Sequence, residues 1–335
     1  GAEVTGLALP PEAPSLYADL GLSQRMASTF ADIRDRAAAT MVMHEAKPQI
    51  VFHLAAQAIV RAAYADPVAA FATNVMGTAH VLEAARNAPS VRAVVCVTSD
   101  KCYDNREQAQ AFREGDALGG RDPYSASKAA AEIVAGSWRE TLFPLEGRVR
   151  VATARAGNVI GGGDWAADRL IPDIVRAIEA GRPLVLRNPD AVRPWQHVLE
   201  PLRGYLALGE GLLAGAPVEG AWNFGPGRAS EIGVADMARR FAAAAGAALD
   251  IEIEPSPLPE AQVLRLDIGK AAAGLGWRPI LSIDDAVALT AQWWQARATN
   301  PAGIAGVTRA QIEGYREAVS EGAAGGRKTK RLSTK

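Results

Sequence analysis

The sequence predicts an α/β chain: a doubly wound parallel sheet followed by a smaller C-terminal lobe. Three observations carry this. Short runs of small and β-branched apolar residues recur at 49–54, 91–97 and 149–155, as expected of strands buried on both faces. Longer stretches with helical apolar spacing lie between them, at 66–87 and 123–143, so strand and helix alternate as in parallel crossovers. A chain of 335 residues is also long enough for a large core and two lobes.

In order, 3–9 reads as a first strand stopped by Pro10-Pro11, because proline cannot donate to a ladder. A strand into Phe30 ends in Asp32-Ile33-Arg34-Asp35, and 35–46 reads as a helix. The strand at 49–54 runs into the small-residue turn Ala55-Ala56-Gln57. One long amphipathic helix is expected over 66–87, with Val68, Phe71, Val75, Ala79 and Leu82 on one stripe. The strand at 91–97 leads into Thr98-Ser99-Asp100-Lys101, and Asp122-Pro123 opens the helix at 123–143. The strand at 149–155 ends at Gly157-Asn158. Beyond Ile160 the pattern loosens: Gly161-Gly162-Gly163 reads as a flexible turn, 169–180 as a helix capped by Gly181, and 184–187 as a strand. A helix at 199–214, a strand at 221–225 and a helix at 233–245 follow, with Trp293-Trp294 packing the last helix. From Glu321 a basic tail carrying Arg327, Lys328, Lys330, Arg331 and Lys335 is expected to be disordered.

Lys+Arg number 36 against 37 Asp+Glu, which leaves no basic field to attract nucleic acid. Cys96 and Cys102 are the two cysteines, too few for a disulfide framework and suited to a reducing, cytoplasmic setting. No apolar run reaches membrane-spanning length, and no His/Cys cluster has metal-ligand spacing. His53 and His44 read as packing or surface residues, while the role of His197 stays open.

Chemistry concentrates between 97 and 128. Tyr124 and Lys128 leave one face of a helix four residues apart, where a cation can favour the tyrosine phenolate and fit it to take a proton. Ser99, Asp100 and Lys101 offer a hydroxyl, a carboxyl and an amine in succession at a strand's end. In doubly wound sheets ligands sit beyond the carboxyl ends of the strands. Asp32, Ala55-Ala56-Gln57, Ser99-Asp100-Lys101 and Gly157-Asn158 all fall at such ends. Downstream, Arg169, Arg187 and Arg193 suit a diphosphate.

Six segments together carry a resemblance: Val51-Phe52-His53-Leu54-Ala55-Ala56-Gln57, 72–78, Thr98-Ser99-Asp100-Lys101-Cys102-Tyr103, the Tyr124/Lys128 pair, 154–165 and Arg193-Pro194-Trp195-Gln196-His197-Val198. The chain resembles the extended short-chain dehydrogenase/reductases, which have a Rossmann-like lobe, and within them the CDP-glucose 4,6-dehydratases. Tyr124/Lys128 indicates only the superfamily, whereas Ser99-Asp100-Lys101 narrows the resemblance to sugar-nucleotide dehydratases, with Lys101 the sharpest sign.

The resemblance implies dehydration of CDP-glucose to CDP-4-keto-6-deoxyglucose, with NAD carrying a hydride from C4 to C6. Tyr124 would take the 4-hydroxyl proton with Ser99 assisting, Lys101 the C5 proton, and Asp100 would protonate the departing 6-hydroxyl. It implies cofactor contacts from Asp32, Ile33, Leu54, Ala55, Ala56, Gln57, Asn74, Thr98, Tyr124 and Lys128. Substrate contacts would come from Asn158, Arg169, Leu170, Arg187 and Arg193. It further implies an NAD-binding domain at 1–157, a substrate-binding lobe at 158–320 with segments returning to the first, and a homodimer joined through 66–87 and 123–143. The glycine-rich loop that opens such folds is absent ahead of the strand at 3–9, so one strand-helix unit, roughly 30 residues, is expected to be missing. No acidic residue ends that strand, so NAD rather than NADP rests on the resemblance alone. Two other readings remain: a sugar-nucleotide 4-epimerase, which needs the Tyr/Lys pair but not Asp100-Lys101, and a non-catalytic remnant acting as a dimerisation or binding module.

Overall fold

The structure, a computed structural model, describes residues 1–107, 110–147, 149–254 and 261–324. The strands of the first half are β1 (Thr5–Ala8), β2 (Ala27–Phe30), β3 (Ile50–His53), β4 (Ala93–Val97) and β5 (Arg150–Ala156). Those of the second are β6 (Val159–Ile160), β7 (Leu184–Leu186), β8 (Val192–Pro194), β9 (Gln196–His197), β10 (Gly220–Phe224), β11 (Glu231–Gly233) and β12 (Ile251–Ile253). The central sheet is parallel in the order β10-β5-β4-β3. β1 and β2 pair with each other in a separate parallel sheet. The parallel strands of the first half therefore fall in two sheets, β1-β2 and the one that holds β3, β4 and β5. Both sheets lean on one core, in which Leu7 of β1 packs with Ile33, Met43, Leu82 and Val94.

Alternation along β4 explains the layering, since successive side chains of a strand point to opposite faces. Val94 and Cys96 enter the core under the helices Gly77–Asn87 and Pro123–Ser137, with Leu82, Ala85 and Ala135. Ala93 and Val95 enter the opposite core, under the helix Leu199–Leu213, with Tyr205, Leu208 and Trp277. Helices cover both faces, so the strand reads as one apolar run. β10, from the second half of the sequence, joins this sheet beside β5. Elsewhere the second half builds its own core around Ile174, Trp195, Phe241 and Trp293.

Two helices expected to be continuous are interrupted. The segment 66–87 starts at Asp66, whose carboxylate accepts from Ala69 N–H at 2.9 Å, and runs through Pro67–Phe71 into a wide turn, Ala72–Met76, before Gly77–Asn87. Thr78 Oγ1 donates to the Asn74 carbonyl there at 2.6 Å, a side-chain bond that competes with the helical ladder. Likewise Pro123–Ser137 passes through Trp138–Leu142 into Phe143–Glu146, where Pro144 has no N–H to continue the pattern.

Gly161–Gly163 forms a packed turn rather than a flexible one. A Cβ on Gly162 would lie 2.0 Å from Trp293, and Gly163, at φ +79°, abuts Leu16. Gly181 caps its helix at φ 57°. Trp293 Nε1 donates to Thr308 Oγ1 at 2.8 Å, tying its helix, Ile283–Thr299, to the final helix, Ile304–Ala324. That helix corrects the boundary of the expected tail: 321–324 are helical, and Arg327 to Lys335 lie outside the described residues.

Candidate active site

Three strand ends meet one helix start. Asp122 caps the helix Pro123–Ser137 by accepting from Ser125 N–H at 2.9 Å, satisfying a donor that the first turn leaves free. This fixes the first turn, which carries Tyr124, with Lys128 one turn later; both are buried. After β4, Ser99 caps a single turn, Asp100–Cys102, accepting from Lys101 N–H at 3.1 Å and donating to Asp100 Oδ1 at 3.1 Å. Asp100 is 2% exposed, and its Oδ2 is buried with no hydrogen-bond partner among the described residues.

One cavity of about 380 Å³ collects these groups, within the size range of small-molecule sites. Ser99, Asp100, Lys101 and Tyr124 line it from the sheet side, and Asn158, Arg169, Leu170, Arg187 and Arg193 from the second half. All the expected catalytic residues except Lys128, and all five expected substrate residues, thus share one wall-to-wall space. Lys128 stands behind it, its Nζ donating to the Val97 carbonyl at 3.4 Å. Arg193 is held by the Val192 and Gln262 carbonyls at 3.0 and 3.2 Å.

Burial dominates the electrostatics. It raises the Asp100 carboxyl above its ordinary range, against the opposing pull of Lys101 and the Ser99 bond. It pushes the Tyr124 phenol up to about 12, against the Ser99 hydrogen bond that lowers it. It brings Lys128 down to about 8. Asp100 and Asp122 also raise the phenol, while the Ser99 hydrogen bond and Arg169 lower it, and loss of solvation is the largest influence. His53 and His197 are each brought down to about 4 by burial. His53 pairs with Thr78 at 3.0 Å, whereas His197 Nε2 has no partner among the described residues.

The expected cofactor residues divide. Leu54 is half exposed beyond β3, with Ala55 and Ala56 beside it, and Gln57 Oε1 is buried without a partner. With Tyr124 and Lys128 Nζ, this apolar surface and small donor set fit the ring and hydroxyls of a nicotinamide riboside. Asn74 instead serves the turn: its amide accepts from Gln57 N–H at 2.8 Å and donates to the Gln57 carbonyl at 3.0 Å and to Ser127 Oγ at 2.8 Å. Thr98 Oγ1 donates to Glu132 Oε1 at 2.5 Å. Ile33 is a core residue against which a Cβ on Gly77 would clash, and Asp32 is paired with its neighbour Arg34 at 2.8 Å.

Three groups were not singled out from the sequence. Glu132 accepts from Thr153 Oγ1 at 2.7 Å and from Arg155 Nη2 at 2.8 Å, and Arg155 Nη1 donates to Tyr103 Oη at 2.8 Å. Glu132 continues the Tyr124–Lys128 line by another four residues, and that spacing was the available signal. On the opposite wall, Asp168 Oδ1 accepts from Arg61 Nη1 at 3.3 Å and Arg187 Nη1 at 2.9 Å. Nothing in the sequence announces that bridge.

The family model of GDP-mannose 4,6 dehydratase matches residues 14–290. The chain is 45% identical over 306 residues to the CDP-glucose 4,6-dehydratase of Salmonella typhimurium, covering 88% of this chain and 84% of that one. It is 28% identical over 268 residues to a UDP-glucose 4-epimerase of Mycolicibacterium smegmatis, covering 79% and 82%. Among solved structures, a dTDP-glucose 4,6-dehydratase, DesIV of Streptomyces venezuelae with NAD bound, matches with TM-score 0.76 at 25% identity over 89% of each chain.

Proposed function

Because the chain belongs to the GDP-mannose 4,6 dehydratase family, we propose that it removes water from CDP-glucose to give CDP-4-keto-6-deoxyglucose. It is a hydro-lyase that uses NAD. The observation carrying this reading is the convergence of Ser99, Asp100, Lys101 and Tyr124 with three arginines on one cavity. Elimination needs a base and an acid at adjacent carbons in opposed protonation states, and a buried carboxyl next to an amine supplies that pair.

Leu54, Ala55, Ala56, Gln57, Tyr124 and Lys128 would hold NAD, which would supply the acceptor for a hydride from C4 and its donor to C6. Tyr124 would receive the proton of the 4-hydroxyl in its phenolate form, which the Ser99 hydrogen bond and Arg169 favour against burial. Lys101 takes the C5 proton, which the 4-ketone makes acidic. The C6–O bond then breaks as Asp100 gives its proton to the departing oxygen, one water leaves, and Lys101 returns its proton to C5 as C6 is reduced. Burial, which favours the neutral carboxyl, readies Asp100 for this donation. Arg169, Arg187 and Arg193 bind the diphosphate, with Asn158 and Leu170 beside it.

Residues 1–157 serve as the NAD domain and 158–320 mainly as the substrate lobe. Val68, Met76 and Ile133 are exposed apolar residues on the segments 66–87 and 123–137, which supports a homodimer through these helices; sedimentation as a monomer would sink it. Both cysteines are buried and free, which suits a cytoplasmic setting. Among the described residues no helix is long and apolar enough to cross a membrane.

The test is mass spectrometry of CDP-glucose incubated with the chain and NAD, beside dTDP- and UDP-glucose. Loss of one water from the CDP sugar alone is the expected result. Water lost equally from all three would refute the CDP preference, and an unchanged mass would refute the reaction.

A further inference from the structure

The glycine that follows β5 has no conformational reason to be glycine. Gly157 lies outside the positive-φ residues of the chain, although its neighbour Asn158 is one of them, at φ 48°. The nearest obstacle to a side chain is the Asp100 carboxyl. A Cβ on Gly157 would fall 1.7 Å from Asp100 Oδ2, 2.0 Å from its Cγ and 2.5 Å from its Oδ1. The whole Asp100 carboxyl therefore rests on the bare Cα of Gly157. Its other restraint is the Ser99 hydroxyl on Oδ1, and Oδ2 has no partner among the described residues.

The floor is itself held. Gln196, on β9, donates from Nε2 to the Gly157 carbonyl at 3.4 Å and to the Phe224 carbonyl at 2.9 Å. Its backbone N–H donates to the Asn158 carbonyl at 3.2 Å. Phe224 ends β10 beside Ala156 of β5, so two strands and one buried amide fix Gly157 under Asp100.

We propose that Gly157 is the positioning residue for Asp100, its missing side chain setting where the carboxyl stands when the 6-oxygen leaves. The inference rests on the reading of Asp100 as the acid of the elimination. The three atoms nearest that Cβ all belong to Asp100, so a methyl at 157 meets the acid of the elimination before it meets Tyr124 or Lys101. A displacement of about 1 Å in a reacting group can cost ~10²-fold in rate.

The experiment compares wild type, Gly157→Ala, Asp100→Ala and the double variant, each with NAD and CDP-glucose. Absorbance at 340 nm follows oxidation at C4, mass spectrometry follows water loss, and thermal unfolding is recorded without sugar. With Gly157→Ala, water loss should fall ~10²-fold while 340 nm absorbance accumulates with an oxidised, still hydrated sugar. Its melting temperature should fall, and the alanine should cost much less once Asp100 is alanine. If Gly157→Ala does not fold, recovery of soluble protein in the double variant supports the same contact. Wild-type turnover by Gly157→Ala overturns the inference. So does an equal loss of oxidation and water loss, or a thermal cost unchanged by removing Asp100. A wild-type chain that leaves the sugar intact refutes the functional reading instead, and the thermal coupling between 157 and 100 then decides whether the glycine makes room for the carboxyl.

Discussion

The two walls of the cavity are built on opposite principles. On the sheet side, Asp100, Ser99, Tyr124 and, behind them, Lys128 are each under a tenth exposed. Behind them Glu132 and Arg155 form an ion pair with both side chains 3% exposed. On the other side Arg193 is buried, but the ion pairs are partly exposed: Arg187–Asp168 at 27% and 34%, Arg169–Asp164 at 42% and 31%. Burial raises the stakes of every charge, because an unpaired buried ion costs several kcal/mol; it also shifts proton affinities. Exposed pairs are worth little to stability, with a median near 0–1 kcal/mol, so arginines can leave an aspartate for a diphosphate at small cost. One wall is made to tune protons, the other to exchange partners.

The comparison can be broken most sharply at Lys101. Lys101→Met should lower water loss by ~10²–10⁴-fold, the usual worth of an acid-base group. Oxidation at C4, followed at 340 nm, should survive. Retention of water loss would remove lysine from the elimination and leave the epimerase reading open.

Glu132→Ala comes next. It leaves Arg155 buried without its carboxylate, and we expect a loss of about 3–5 kcal/mol in urea unfolding. A cost below about 1 kcal/mol would make the two walls alike. Arg187→Ala should do the reverse, costing no more than about 1 kcal/mol of stability while raising KM for CDP-glucose about tenfold, the scale of one charge-assisted hydrogen bond. An unchanged KM would take Arg187 out of the substrate site.

The smallest effect concerns pH. The folded Asp100 carboxyl lies above its ordinary value of 3.8 because of burial. The folded state therefore holds a proton that the unfolded chain releases, and this contribution is complete below 3.8 and lost as pH rises through the folded value. Asp100→Asn removes the titration. Its melting temperature should gain on wild type as pH is raised from 3.8 toward neutrality; a gain independent of pH would show that the carboxyl is not destabilised by burial.

Much of this protein is local and was legible as such. Strands β3, β4 and β5 follow from apolar runs, and the Tyr124–Lys128 face follows from helical spacing and an Asp-Pro start. The chemical types in Ser99-Asp100-Lys101 are visible in the sequence. What it did not reveal depends on partners distant along the chain. The wide turns at 72–76 and 138–142 have no periodic signature, because they reflect a side-chain hydrogen bond from Thr78 and the missing N–H of Pro144 rather than hydrophobic spacing. Spacing placed Lys128 one turn from Tyr124, but spacing carries no measure of solvation, and burial is the largest influence on the phenol.

By itself, then, the sequence determined the order of elements and which acids, bases and arginines were at hand, since propensity and periodicity act over a few residues. Only the tertiary structure decided that Arg155 pairs with Glu132, that β10 returns beside β5, and that Asp100 rests on Gly157. The physical reason is that burial, unlike spacing, is a property of everything packed around a group, and burial sets both the energy of a charge and the room it has.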